Sequence, residues 1–142
     1  MPSRCYHKAV LQYETTLRFL NSGEMTALVR REGGNMLGWI GASRPPYKEW
    51  KWHKTQHRLG RPNFVQLPDG SFWAASRSYP GGAKTVLAKF GPETYEPVLS
   101  LPSGGDCGYP GMVWHNGLLW MSYYSFHEGK TSIYLARIHI VR

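Results

Sequence analysis

A 47-residue spacing constrains this chain more than any other feature. Gly23, Gly70 and Gly117 follow one another at intervals of 70−23=47 and 117−70=47. Around each glycine lies the same unit, an apolar run, a polar turn and a second apolar run: LRFLNSGEMTALVR, FVQLPDGSFWAASR and MVWHNGLLWMSYYS. Further on, GWIGAS (38–43), TVLAKF (85–90) and SIYLAR (132–137) keep the register. Pro45 matches Pro92, and Glu49 matches Glu96. Repeats of about 40 to 50 residues, each with several short strands, are the mark of β-propeller blades.

The pattern predicts an all-β chain with no sustained helical period. Strands are expected over about 14–20, 25–31, 37–43 and 49–54 in the first copy, and about 61–67, 71–77, 84–90 and 95–100 in the second. They are rich in Val, Leu, Phe, Trp and Tyr and bounded by turn residues. The turns at Gly23, Gly70 and Gly117 read as hairpins whose glycines supply positive φ. The blades divide as about 13–59, 60–106 and 107–142. The third has its first three strands, and residues 5–12 (CYHKAVLQ) fall in the fourth-strand phase of a preceding blade.

Propellers have about four to eight blades. A three-bladed arc leaves apolar faces and unpaired edges open. The expected remedy is a homodimer, two half propellers related by a two-fold axis and closed into six blades by exchange of the 5–12 strand.

Composition sets the remaining bounds. The chain is 42% apolar and 14% aromatic over 142 residues, enough to bury a core. No stretch reads as a membrane span or a signal peptide, so the default expectation is a cytoplasmic location and no membrane partner. Cys5 and Cys107 are expected to be reduced thiols. The net charge of +8 favours anionic partners. Its basic residues are scattered, however, so a solvated surface is the preferred reading over nucleic-acid binding.

Glu14 is followed by Arg30 sixteen residues later, at the end of the next strand. Tyr109 stands in GDCGYPGMVW, two blades on. Together they resemble the sialidase (neuraminidase) superfamily, and specifically the C-terminal three blades of its six-bladed propeller. The resemblance implies that Glu14 activates Tyr109 as a nucleophile and that Arg30 belongs to a cluster of arginines clamping a sugar carboxylate. Arg77, one blade on from Arg30, is the next candidate for that cluster. Such chemistry is coherent: guanidiniums bind carboxylates bidentately, and a Tyr nucleophile needs a neighbouring base. The chain departs from the family in three places. The family's first Arg and its Asp acid belong to blades not represented here. Lys84 opens a strand where an Arg is usual. The family's Asp-box is reduced to SRPPYKEW (43–50).

Each of these residues also has a plainer role. Glu14 can open a strand in solvent, Arg30 and Arg77 can pair with nearby acids, and Tyr109 can pack on Pro110. Asp106 reads as a turn former in GGDCG. The six tryptophans read mainly as inter-blade packing, with Trp73 and Trp120 equivalent. His53 and His57 have i, i+4 spacing but no helix to align them, so no metal site is expected, and no cofactor motif is present.

Three functions follow. The first is a sialidase-like half propeller acting as a non-catalytic, structural or glycan-binding module for an acidic sugar or other small anion, whether natural or a piece of a longer propeller. The second is an active Tyr-nucleophile glycoside hydrolase. The third is a basic nucleic-acid-binding protein. In the first two, Glu14, Arg30, Arg77 and Tyr109 should share one axial, anion-attracting face.

Overall fold

The computed structural model describes residues 12–141. They form eleven strands and, among the described residues, no helix. The first sheet is β1 (Gln12–Phe19), β2 (Met25–Arg31), β3 (Trp39–Ser43) and β4 (Lys51–Lys54). The second is β5 (Gly60–Gln66), β6 (Phe72–Ser78), β7 (Lys84–Phe90) and β8 (Tyr95–Ser100). The third is β9 (Cys107–His115), β10 (Leu118–Ser125) and β11 (Ser132–Ile138). Each sheet is an antiparallel meander in chain order. The fold is therefore all-β, an arc of three propeller blades. The expected strands are present, with ends shifted by one or two residues. Residues 5–12, expected to close the ring, lie outside the described residues except for Gln12, which begins β1.

The three hairpins turn where the repeat predicts. Gly23, Gly70 and Gly117 have φ of 83°, 87° and 73°. A Cβ at any of them would meet no atom within 4 Å, so backbone conformation and not crowding selects glycine there.

The blades stack face to face through two apolar clusters. Between the first and second sheets lie Leu28, Ile40, Leu59, Phe64, Ala74 and Phe90. Between the second and third lie Ala75, Leu87, Leu101, Leu119, Met121, Tyr123 and Ile138. Adjacent residues Ala74 and Ala75 thus face opposite neighbours, and both are fully buried. The middle sheet is covered on both sides, which explains why β7 is buried without a break from Thr85 to Ala88, whereas most of β11 alternates between half-buried and exposed. Trp73 and Trp114 pack between blades as expected. Trp50 and Trp52 do not: they stack on each other at the outer edge of the first blade, 5.3 Å apart.

Polar bonds repeat with the blades. Thr16 Oγ1 donates to the Pro62 carbonyl at 2.5 Å, and the equivalent Asn63 Nδ2 donates to the Pro110 carbonyl at 2.8 Å. These fix the spacing of the inner strands β1, β5 and β9.

Tyr95 shows how tightly the cluster between the first and second sheets is closed. The residue is half-buried, but its hydroxyl end lies deep, 2.9 Å from Oγ of the buried Ser76. Burial pushes its phenol up to about 12. The folded state therefore holds the proton more tightly than the unfolded chain. The corresponding stability is complete below about pH 10, the ordinary phenol value, and is lost as pH rises through 12. Tyr95→Phe should flatten the alkaline decline in stability, read by circular dichroism in denaturant between pH 9 and 12. An unchanged slope would place the titration elsewhere.

Candidate functional site

The inner strands deliver the site by the same irregularity in each blade. Ladder pairing slips between Gln12 and Thr15 in β1, between Gly60 and Asn63 in β5, and between Gly108 and Gly111 in β9. Inside these bulges stand Glu14, Arg61 and Tyr109. A bulge re-aims a side chain and is favoured next to functional sites. Arg61 and Tyr109 sit at φ of 52° and 49°, a left-handed conformation that a bulky residue adopts at a cost.

Glu14 is the hub. Its Oε2 accepts from Arg30 Nη1 at 2.9 Å, and its Oε1 accepts from the Tyr109 hydroxyl at 3.2 Å. Arg61 Nε lies 3.8 Å from the same Oε1. That Nε is buried and has no hydrogen-bond partner among the described residues. The Arg61 guanidinium lies under the Tyr109 ring, 4.1 Å from its centroid, while the Tyr109 side is 58% exposed. One face of Tyr109 is thus held by a cation and the residue remains largely open to solvent.

A second group adjoins it. Arg61 Nη1 donates to the Tyr124 hydroxyl and lies 3.6 Å from Asp106 Oδ1. Tyr124 donates to the same Oδ1 at 2.5 Å, and Arg77 Nη2 donates to it at 2.8 Å. Arg77 Nε is bound to the Cys107 carbonyl. Cys107 is buried and free among the described residues, and Cys5 lies outside them. The Tyr124 hydrogen bond, aided by Arg77 and Arg61, holds the Asp106 carboxyl below its ordinary value. Burial and the Asp106 bond raise the Tyr124 phenol, so it stays a donor.

Behind Arg30, Glu32 takes Arg30 Nε at 2.5 Å and Arg58 Nη2 at 3.0 Å. Burial alone would raise the Glu32 carboxyl; the Arg30 hydrogen bond and the charges of Arg30 and Arg58 override it and hold it below its ordinary value.

The structure thus brings Glu14, Arg30 and Tyr109 into direct contact and joins Arg77 to them through Asp106, Tyr124 and Arg61. It also alters the electrostatic expectation. Arg30, Arg58, Arg61 and Arg77 share the three carboxylates of Glu14, Glu32 and Asp106, so part of the positive charge expected of this face is offset from within. Asp106, read as a turn former, does lie in a bend, yet its carboxylate holds Arg77 and Tyr124. Lys84 takes no part: its Nζ donates to the Ser103 carbonyl at 2.6 Å.

The site opens into a cleft of about 450 Å³ along the inner strands, lined among others by Glu14, Arg18, Arg61, Asn63 and Tyr109. A larger hollow of about 620 Å³ lies at the outer rim of the first blade around the 43–50 segment, away from this network.

No protein-family model matches the chain, and no curated protein does. Solved structures do. A protein of unknown function from Dyadobacter fermentans superposes with a TM-score of 0.83 at 19% identity, over 96% of this chain and 40% of that one. An α-L-arabinofuranosidase from Fusarium graminearum, solved with an iminosugar inhibitor, gives 0.76 at 14% identity, over 89% and 45%. The Bacteroides ovatus xyloglucan PUL protein GH43B gives 0.65 at 17% identity, over 91% and 27%. The chain therefore spans under half the length of each. At such identities the likeness carries the fold, a β-propeller, and no more.

Proposed function

We propose that this half propeller is a glycan-binding module whose ligand lies on Tyr109 in the axial cleft. The observation that carries the reading is the Glu14–Tyr109–Arg61 group. An exposed aromatic ring, backed by the Arg61 guanidinium, offers a stacking surface, and the partly exposed Glu14 carboxylate beside it can accept from ligand hydroxyls. The names of two similar structures, an arabinofuranosidase and a xyloglucan-locus protein, support a glycan as the ligand class. The internal pairing of the arginines favours a neutral sugar, read through its hydroxyls, over the acidic sugar that the sialidase resemblance implies.

A second reading, hydrolysis with Tyr109 as nucleophile, is favoured by the 3.2 Å contact between its hydroxyl and Glu14. Against it stands the pairing of each carboxylate described at this site with an arginine. Glycoside cleavage needs a carboxylic acid still protonated near neutral pH. Asp106 and Glu32 are both held below their ordinary values, and Glu14 is engaged by Arg30 and Tyr109. We therefore place binding ahead of catalysis.

Calorimetry with arabinobiose, xyloglucan oligosaccharides and sialyllactose tests both. Expected is binding of a neutral oligosaccharide, weakened at least about tenfold by Tyr109→Ala, the loss of roughly one stacking contact. Nitrophenyl arabinofuranoside and umbelliferyl sialoside should not be turned over. Turnover abolished by Tyr109→Phe and Glu14→Gln would establish the hydrolase instead. Failure of every sugar to bind would remove the glycan reading.

A further inference from the structure

The blades pack by a rule, and the rule identifies what is missing at the two ends of the arc. The face of the second sheet that meets the third carries Val65, Trp73, Ala75 and Leu87. Adding 47 along β10 gives Trp120 and Ser122; β9 and β11 pair one residue out of the 47-residue register expected from the sequence, so adding 48 gives Val113 and Leu135 as the rest of the equivalent face. Strand pairing confirms the equivalence, because Ala75 pairs with Leu87 as Ser122 pairs with Leu135, and Trp73 pairs with Val65 as Trp120 does with Val113. Burial does not follow the equivalence. Leu87 is 1% exposed and Leu135 65%; Thr85 is 0% exposed and its counterpart Ile133 77%. The other end shows the converse. Phe64, fully buried against the first sheet, has Leu17 as its counterpart 47 residues earlier, 46% exposed, with Phe19 beside it at 65%.

Among the described residues the arc thus ends in one uncovered face of each kind that blades use to stack, an outgoing face on the third sheet and an incoming face on the first. Contiguous exposed apolar surface of this sort marks an interface. We propose that its occupant is a second copy of this chain: the Val113, Ile133 and Leu135 face of one protomer packs on the Leu17 and Phe19 face of the other, twice over, about a two-fold axis. Two features single out this partner. The faces are complementary members of one stacking rule, so a single two-fold operation covers all four. The size is compatible, since twice the covered share is 80% of the Dyadobacter chain and 90% of the Fusarium one. The outer edge of β11, unpaired among the described residues, gives each third blade room for a fourth strand.

The proposal stands on the two faces and is independent of the glycan reading. Multi-angle light scattering during gel filtration should give twice the chain mass at micromolar concentration. Two cysteines placed singly, Leu17→Cys in one preparation and Leu135→Cys in another, should form a disulfide-linked heterodimer when the preparations are mixed and oxidised, and neither alone should do so. Leu135→Asp should lower the dimer fraction at least tenfold at matched concentration; if it fails to fold, the wild-type mass and the cysteine pair still decide. A folded wild-type monomer, a mass of three or more chains, or no cross-link between the two cysteine preparations would overturn the proposal.

Discussion

Phe64→Ala should remove about 4 kcal/mol of unfolding free energy, a large part of what a domain of this size holds. Phe64 sits on β5 where the first two blades meet and is fully buried. Its ring stands nearly perpendicular to Phe90, with centroids 5.1 Å apart, and the Arg18 guanidinium lies 5.8 Å from its centre. Leu28 and Ile40 close over it from the first sheet. These neighbours come from hydrogen-bonded strands of two sheets, so the hole cannot collapse without sliding one blade on another. That makes the cavity cost large. Urea denaturation followed by tryptophan fluorescence measures it. Phe64→Leu should lose far less, about 1 kcal/mol, and Val98→Ala, half-exposed on β8, should stay within about 0.5 kcal/mol of wild type. A loss below about 1 kcal/mol for Phe64→Ala would mean that the blades do slide, and that the interface between them is not a fixed core.

The fold was legible because its signals are local and repeated. A tight hairpin needs positive φ at one residue, so glycine recurs at 23, 70 and 117, and each interval between hairpins must then contain the same strands. The site was legible only in part. Glu14, Arg30, Arg77 and Tyr109 were singled out through a resemblance, and that resemblance does not reach Arg61, Tyr124, Glu32 or Arg58. Two of these were within reach of the repeat itself. Glu14 plus 47 is Arg61, and a further 48 gives Tyr109; Arg30 plus 47 is Arg77, and a further 47 gives Tyr124. Equivalent positions at strand ends converge on the axis, so the two series form the network seen here. What no spacing discloses is the pairing of charges. Glu32 and Asp106 come from segments outside both series, and only the folded chain shows that they pair with the arginines. The same limit applies to the tryptophans. Trp73 and Trp120 are equivalent in sequence, yet Trp73 is packed between blades while Trp120 lies on the open face, under Arg137 at 5.9 Å.

Arg30→Met should destabilise the chain by about 2 kcal/mol at neutral pH, with a pH dependence that separates charge from packing. Arg30 is 16% exposed and holds two carboxylates, Glu32 through Nε and Glu14 through Nη1. Methionine keeps much of the stem and deletes the charge, which leaves Glu32, 18% exposed, with Arg58 alone on its other oxygen. In the wild type the Glu32 carboxyl lies below its ordinary value of 4.5. A depressed carboxyl contributes stability that is complete above 4.5 and is lost as pH falls below it. In the variant the main opposing partner is gone and burial pushes the carboxyl back up. Protonating Glu32 then relieves the variant while it harms the wild type, so the two stability curves should converge as pH falls from 7 towards 4. The double variant Arg30→Met with Glu32→Gln should recover most of the deficit at pH 7, because no buried carboxylate is then left half-paired. Urea midpoints at pH 7, 5.5 and 4 test this. A deficit of equal size at all three, unrelieved by Glu32→Gln, would show that Arg30 acts through the packing of its stem and that the arginine–carboxylate network is not what holds the axial strands in place.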